Sequence, residues 1–271
     1  MESSARHFAR DVAVGLLVGV FSGLFGVGGG ILLVPILVLA FHVVQKNAQA
    51  TSLVVVALAA TTGAITYALG DSVVWTSVVF LLAGGVVGTW LGSAIVVRIQ
   101  TRWLQIMFGL LLVAAAIRLV VAASTAAEFT STGFLGLSAW VIAGYITSGF
   151  VMGLLSSLLG IGGGIIVIPL LIAFFGFTQQ LAAGTSLVVM VPIALLGAWR
   201  LTRSGHTQWA QGTRIGIAGA VGAVGGASLA LVASPDVMQA AFGVVLVIAA
   251  SQMLWKGFRG PATGRDSHQP D

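Results

Sequence analysis

Two runs of three consecutive glycines, Gly28-Gly29-Gly30 and Gly162-Gly163-Gly164, are the residues of this 271-residue chain whose type and spacing could do chemistry. Each lies in the same longer signature, G-[VI]-G-G-G-I, over Gly26 to Ile31 and Gly160 to Ile165. Helix packing asks for one small residue per turn, so three in a row need another reason. Glycine reaches the positive-φ conformations of a tight turn, and its missing side chain lets another group approach the main chain. Helices restarting at about Ile31 and Ile165 would aim unpaired N–H groups and a positive dipole end at the break. Such a place suits an anion. A nucleotide-binding loop is the wrong reading, because no strand precedes either run, no G-K-[ST] follows, and no acidic ribose ligand stands about 20 residues on.

Two Thr-Ser pairs follow the glycine runs at equal distance. Thr51, Ser52, Thr185 and Ser186 each lie a few residues into an apolar segment. Their hydroxyls could bond back to a carbonyl one turn earlier, as is common in membrane helices. They could equally belong to the site, since their neighbours differ (Asn47 against Leu181, Gln49 against Ala183) while the hydroxyls stay. The candidate substrate-binding set is therefore Gly26, Gly28, Gly29, Gly30, Thr51 and Ser52 with Gly160, Gly162, Gly163, Gly164, Thr185 and Ser186. Arg118 is the one charge clearly inside an apolar stretch; it either attracts an anion or snorkels to the interface. His42, His206 and His268 fall at ends, loops or the tail, and His7 precedes the first apolar run, so all four read as solvated. With almost no Asp, Glu or His in the apolar stretches and no Cys, a hydrolase or metal enzyme has nothing to work with. No catalytic residue, metal or cofactor is expected.

The elements that must position these residues come in two copies. Shifted by 134 residues, Gly19–Val55 aligns with Gly153–Val189 without a gap, and 18 of 37 positions are identical. Pro35 meets Pro169, and the same offset later joins Gly63 with Gly197, Trp75 with Trp209, Gly88 with Gly222 and Phe108 with Phe242. A repeat at one offset over that length marks a duplicated structural unit. The chain reads as an N-terminal repeat at 1–123, a linker at 124–136, a C-terminal repeat at 137–257 and a polar tail at 258–271.

Composition sets the solvent. The chain is 58% hydrophobic and 7% charged, with a mean hydropathy of +1.08, whereas a soluble domain carries roughly 25% charged residues. A spanning helix needs roughly 20 apolar residues, and full spans are expected at about 49–70, 74–97 and 103–123, then 183–202, 209–232 and 238–257. Each half opens instead with an interrupted segment, 12–42 or 137–176. In the first half the pieces either side of the glycines are expected to be about a dozen residues, or roughly 20 Å, short of a hydrocarbon core of roughly 30 Å. If each interrupted segment is a re-entrant hairpin, a half has three crossings and the halves lie inverted. Charge favours that layout: Asp71 in the first half corresponds to the region of Arg200, Arg203 and Arg214, and Arg98 and Arg102 correspond to Asp236. Under it, 11 of the 12 Lys and Arg fall in the cytoplasm, Arg118 excepted, as the positive-inside tendency prefers. An eight-span layout fits less well. Gly15, Gly19 and Gly23, and Gly84, Gly88 and Gly92, have the four-residue spacing of helix contacts. Trp75, Trp103, Trp209 and Trp255 read as interfacial anchors. The basic N-terminus leads into a long Gly-rich segment without a cleavage site, so it reads as retained.

The stretches G-L-F-G-V-G-G-G-I-L-L-V-P at 23–35 and L-L-G-I-G-G-G-I-I-V-I-P at 158–169, each followed by T-S-L, resemble the sulfite exporter TauE/SafE family. The resemblance covers nearly the whole chain. Ser157 stands where the first copy has Gly23. It implies a bacterial or archaeal inner-membrane permease for small anions, with sulfite, sulfoacetate and related organosulfur compounds as the usual substrates. The expectation is thus an all-α polytopic membrane protein with two homologous halves, a secondary transporter of a small anion and not an enzyme. An anion channel and a non-transporting membrane scaffold are the alternatives. The expected partners are the lipid bilayer, the anion, a coupling proton or ion and, as a candidate, a second copy of the chain; nucleic acid is not among them.

Overall fold

The computed structural model describes residues 2–95, 113, 138–160, 162–203 and 207–259. Nine helices are described: α1 (Glu2–Phe25), α2 (Gly30–Leu39), α3 (Gln45–Leu69), α4 (Trp75–Ile95), α5 (Ala139–Leu159), α6 (Gly164–Phe175), α7 (Gln179–Thr202), α8 (Trp209–Val232) and α9 (Pro235–Arg259). By the sequence repeat, α5 to α8 are second copies of α1 to α4. Six of them (α1, α3, α4, α5, α7 and α8) are long and apolar enough to cross a membrane. The chain is therefore an all-helical polytopic protein, and four of the expected spans, 49–70, 74–97, 183–202 and 209–232, are found to within a few residues. The other two long helices, α1 and α5, come from the interrupted segments, and the span expected at 238–257 falls on α9, whose apolar part is shorter. The expected span at 103–123 and the linker fall almost wholly outside the described residues, as do Trp103, Arg118 and most of the tail.

The first interrupted segment differs from expectation. Its first arm, α1, has 24 residues, about 36 Å at 1.5 Å per residue, against the expected dozen. Hydropathy marks where the apolar run begins, whereas the helix also takes in the preceding Ala, Glu and Arg residues, which are good helix formers. Its second arm, α2, is short at 10 residues, and α6 has 12.

Both interrupted segments turn back on themselves. The Arg10 guanidinium carbon lies 3.8 Å from the centre of the Phe41 ring, joining the third turn of α1 to the residues just after α2. In the second half Tyr145 stacks on Phe175 with centroids 4.3 Å apart, joining the start of α5 to the end of α6. Each hairpin thus begins and ends at one end of the bundle.

Between halves, helices touch through glycine. A β-carbon at Gly15, Gly19 or Gly23 of α1 would run into main-chain atoms of Ile215, Gly219 and Ala223 of α8, in that order along both helices. Gly84, Gly88 and Gly92 of α4 meet Ile146, Phe150 and Leu154 of α5 in the same way. The copy of α4 therefore packs on α1, and α4 packs on the copy of α1. In α3 and α8, Thr62 Oγ1 donates to Ala220 O at 2.8 Å, and Gly216 and Gly70 face Leu58 and Leu231, so these two run parallel. In α3 and α7 the order reverses, Gly63 facing Leu187 and Gly197 facing Leu53, so these two run antiparallel. Both lie innermost, with Leu53, Val56, Ala60, Leu187, Met190 and Ile193 fully enclosed or nearly so. Leu69, Val79, Ile217, Val221 and Trp140 face outward, as a chain solvated by lipid requires.

Such close contacts have no room for a side chain. Gly19→Val should prevent α1 from seating on α8 and abolish recovery of monodisperse protein in detergent. Gly225 has nothing within 4 Å of its missing β-carbon, so Gly225→Ala should leave the melting temperature equal or raise stability by up to about 1 kcal/mol. Size-exclusion profiles and thermal melts of the two variants check this.

Candidate substrate site between the two glycine breaks

Helix α1 ends where Gly26 N–H donates to Ser22 O at 2.8 Å, and α5 ends where Gly160 N–H donates to Ser156 O at 2.9 Å. Gly26, Gly28 and Gly29 have φ of 71°, 77° and 71°, and Gly160, Gly162 and Gly163 have 67°, 87° and 79°. A left-handed conformation costs any other residue roughly 1–2 kcal/mol each, so three in five positions is a demand only glycine meets. Each break is closed by the next helix, for which Gly29 or Gly163 is the N-cap without a side-chain hydrogen bond.

The two breaks meet in the middle of the bundle. A β-carbon on Gly164 would come within 2.7 Å of Gly26 O and 3.0 Å of Val27 Cα. Gly28 and Gly162 both lie against the same two side chains, Val56 and Met190. Those residues are 134 apart and so are copies of one another, one on α3 and one on α7.

The hydroxyl pairs bind the halves together. Ser52 Oγ donates to Gly160 O at 2.6 Å, with Gln49 O of its own helix at 2.8 Å as a second acceptor. Ser186 Oγ donates to Gly26 O at 3.1 Å. Thr51 Oγ1 accepts from Gln208 N–H at 3.2 Å, before the first residue of α8, and Thr185 Oγ1 accepts from Val74 N–H at 3.1 Å, before α4. All four residues are fully buried. Of the two sequence readings, back-bonding is found only as the second acceptor of Ser52. In each pair the serine holds the other half's break and the threonine caps the other half's fourth helix.

These bonds leave the breaks with an uneven set of polar groups. Three carbonyls at the end of α1 meet hydroxyls: Tyr67 Oη donates to Gly23 O at 2.9 Å and lies 3.3 Å from Leu24 O, and Ser186 covers Gly26 O. The donors are not covered. In α2 the first bonded N–H groups are those of Leu32 and Leu33, both to Gly29 O at 3.1 Å. In α6 they are Ile166 and Val167, to Gly163 O at 3.2 and 3.4 Å. The N–H groups of Gly28, Gly29, Gly30 and Ile31, and of Gly162, Gly163, Gly164 and Ile165, have no hydrogen-bond acceptor among the described residues. Ser22, also fully buried, packs against Gly29, and its Oγ has no partner. Carbonyls masked by hydroxyls beside bare N–H groups at two helix N-termini make a locally positive environment.

The structure thus brings all twelve candidate glycines, threonines and serines to one region. Sequence reasoning did not pick out Tyr67, Ser22, Val56 or Met190. Ser22 had a signal, since Ser156 occupies the same repeat position; Tyr67 had none, its counterpart being Leu201. A carboxylate was missed as well. Asp11 is buried within the apolar stretch Phe8–Phe25, and its Oδ2 lies 3.8 Å from Arg214 Nη1, tying the first turns of α1 to those of α8. It precedes the apolar run in sequence, and only the extended α1 takes it inside. His42, Trp75 and Trp209 are exposed.

Removing one of the serine hydroxyls strands a buried carbonyl. Ser52→Ala and Ser186→Ala should each lower unfolding stability by about 1–3 kcal/mol, read as a drop in melting temperature of purified protein, with the helical circular dichroism spectrum retained.

Comparison with known proteins agrees with this architecture. The sequence profile of the sulfite exporter TauE/SafE family matches residues 2–119 and 145–270. A "probable membrane transporter protein" of Xylella fastidiosa is 29% identical over 255 residues, covering 91% of this chain and 95% of its own length. One from Methanocaldococcus jannaschii is 32% identical over 192 residues, covering 69% of this chain and 68% of its own. One from Bacillus subtilis is 34% identical over 102 residues, 38% of this chain and 37% of its own. No solved structure matches the chain. On the profile, the relatives and the helices together, this multi-pass membrane protein belongs to the sulfite exporter TauE/SafE family of membrane transporters.

Proposed function

We propose that the chain is a secondary transporter of a small anion, namely sulfite, a sulfonate or a related organosulfur anion, which it binds between the two glycine breaks. One observation carries this reading: at both breaks a run of backbone N–H donors has no acceptor among the described residues, whereas a serine hydroxyl from the other half meets the carbonyl of Gly26 or Gly160 and Tyr67 meets Gly23 O beside the first break. A bare buried N–H costs on the order of 1–3 kcal/mol, and an oxyanion that accepts several of them recovers that cost on binding. Membership of the sulfite exporter TauE/SafE family supports anion chemistry.

The two halves are read as inverted repeats. Equivalent helices run in opposite senses by their contacts, α3 against α7 most directly, and each hairpin returns to its own end of the bundle. One hairpin then enters from each membrane face, and rocking of the halves exposes the same site alternately. The positive-inside tendency puts both termini in the cytoplasm, in a prokaryotic inner membrane. A proton or ion gradient is the proposed energy source, and no enzymatic step is assigned.

Two measurements test this. The chain has no native Cys, so single Asp71→Cys and Arg203→Cys variants can be labelled with an impermeant maleimide in oriented membranes. They should react from opposite sides; labelling of both from the same side would exclude the inverted arrangement. In proteoliposomes, sulfite or methanesulfonate flux should saturate, exchange with internal anion and accelerate under a pH gradient. Flux that neither saturates nor exchanges would identify a channel, and an absence of flux for every small oxyanion would remove the transport reading.

A further inference from the structure

We infer that Met190 is the residue that sets the size of anion this transporter accepts, its thioether acting as a removable plug between the two breaks. The inference rests on the reading of the breaks as the anion site. A methyl added at Gly28 or at Gly162 would each strike the Met190 Cε methyl, and each would come within 3.0 Å of Val56 Cγ1. One methyl therefore touches the unpaired backbone of both halves at once. Of the side chains nearest those glycines, Val56, its own repeat counterpart, alone does the same. Met190 is fully buried, and its sulfur lies 3.9 Å from the Ser186 hydroxyl that also covers Gly26 O.

The two equivalent positions are not equivalent in chemistry. Valine is branched at Cβ and holds essentially one side-chain rotamer in a helix. Methionine is unbranched, has three rotatable bonds and fills irregular gaps. Val56 is thus a fixed wall, whereas Met190 can withdraw along α7 without moving the helix. An anion seated on N–H groups from both breaks must occupy the space the Met190 methyl holds. The room it gains is what that side chain can vacate, so shortening residue 190 should admit larger anions and lengthening residue 56 should exclude all of them.

The experiment compares uptake of sulfite, methanesulfonate, ethanesulfonate and benzenesulfonate into proteoliposomes for wild type, Met190→Ala, Met190→Leu and Val56→Met. The expected result is a rise of about tenfold or more in the ethanesulfonate-to-sulfite rate ratio for Met190→Ala, the scale on which one methylene is discriminated in an apolar pocket. Met190→Leu, similar in volume, should keep the wild-type ratio, and Val56→Met should lose flux of every anion while remaining folded. A structural role alone would change rate and melting temperature but not the ratio between anions. An unchanged ratio in Met190→Ala that is folded and transports sulfite overturns the inference and leaves the site reading standing. Should Met190→Ala not fold, Met190→Val, which makes the pair two valines, takes its place under the same criterion. Wild type that moves none of the four anions removes the site reading and this inference with it.

Discussion

Backbone that is not helical cannot face hydrocarbon, because its N–H and C=O groups would go without partners. That constraint governs this molecule. Two helices are broken in the middle of the bundle, and the rest of the fold encloses and partly satisfies those breaks. The α3–α7 pair surrounds them with apolar side chains, and hydroxyls from the same helices cover the carbonyls of Gly23, Gly26 and Gly160. The N–H groups that open α2 and α6 are left without an acceptor among the described residues.

The second feature is exchange between halves. Each serine grips the other half's break, each threonine caps the other half's fourth helix, and α1 and α5 lie on the other half's glycine-lined helices. Neither half has a complete site alone. Packing through bare main chain gives these contacts precision where lipid supplies no hydrophobic drive for helices to associate.

Departures from exact repetition identify what is not structural. Glycines, prolines and hydroxyls are duplicated because both copies need the same turn and the same latch. Asp11 faces Arg214, whereas their counterparts are Tyr145 and Phe80, so one end of the bundle carries charge and the other aromatic packing. At the centre Val56 opposes Met190, a rigid side chain opposite a mobile one.

The membrane class, the duplication, the positions of most spans and the glycine breaks were legible in the sequence, because each is written in composition, in one constant offset or in a residue type with a unique backbone. The glycine stripes at Gly15 to Gly23 and Gly84 to Gly92 were legible as contact faces for the same reason. Their partners were not, since spacing along one helix says nothing about which helix lies opposite. The length of α1, and with it the burial of Asp11, was hidden because helix extent depends on propensity beyond the apolar run. Tertiary structure alone decided that the Thr-Ser pairs reach across to the other half, that Tyr67 masks the end of α1, and that Gly28 and Gly162 share Met190. Those are encounters between residues 28 to 162 positions apart in the chain, and only the folded path of the backbone brings them within hydrogen-bonding or van der Waals reach.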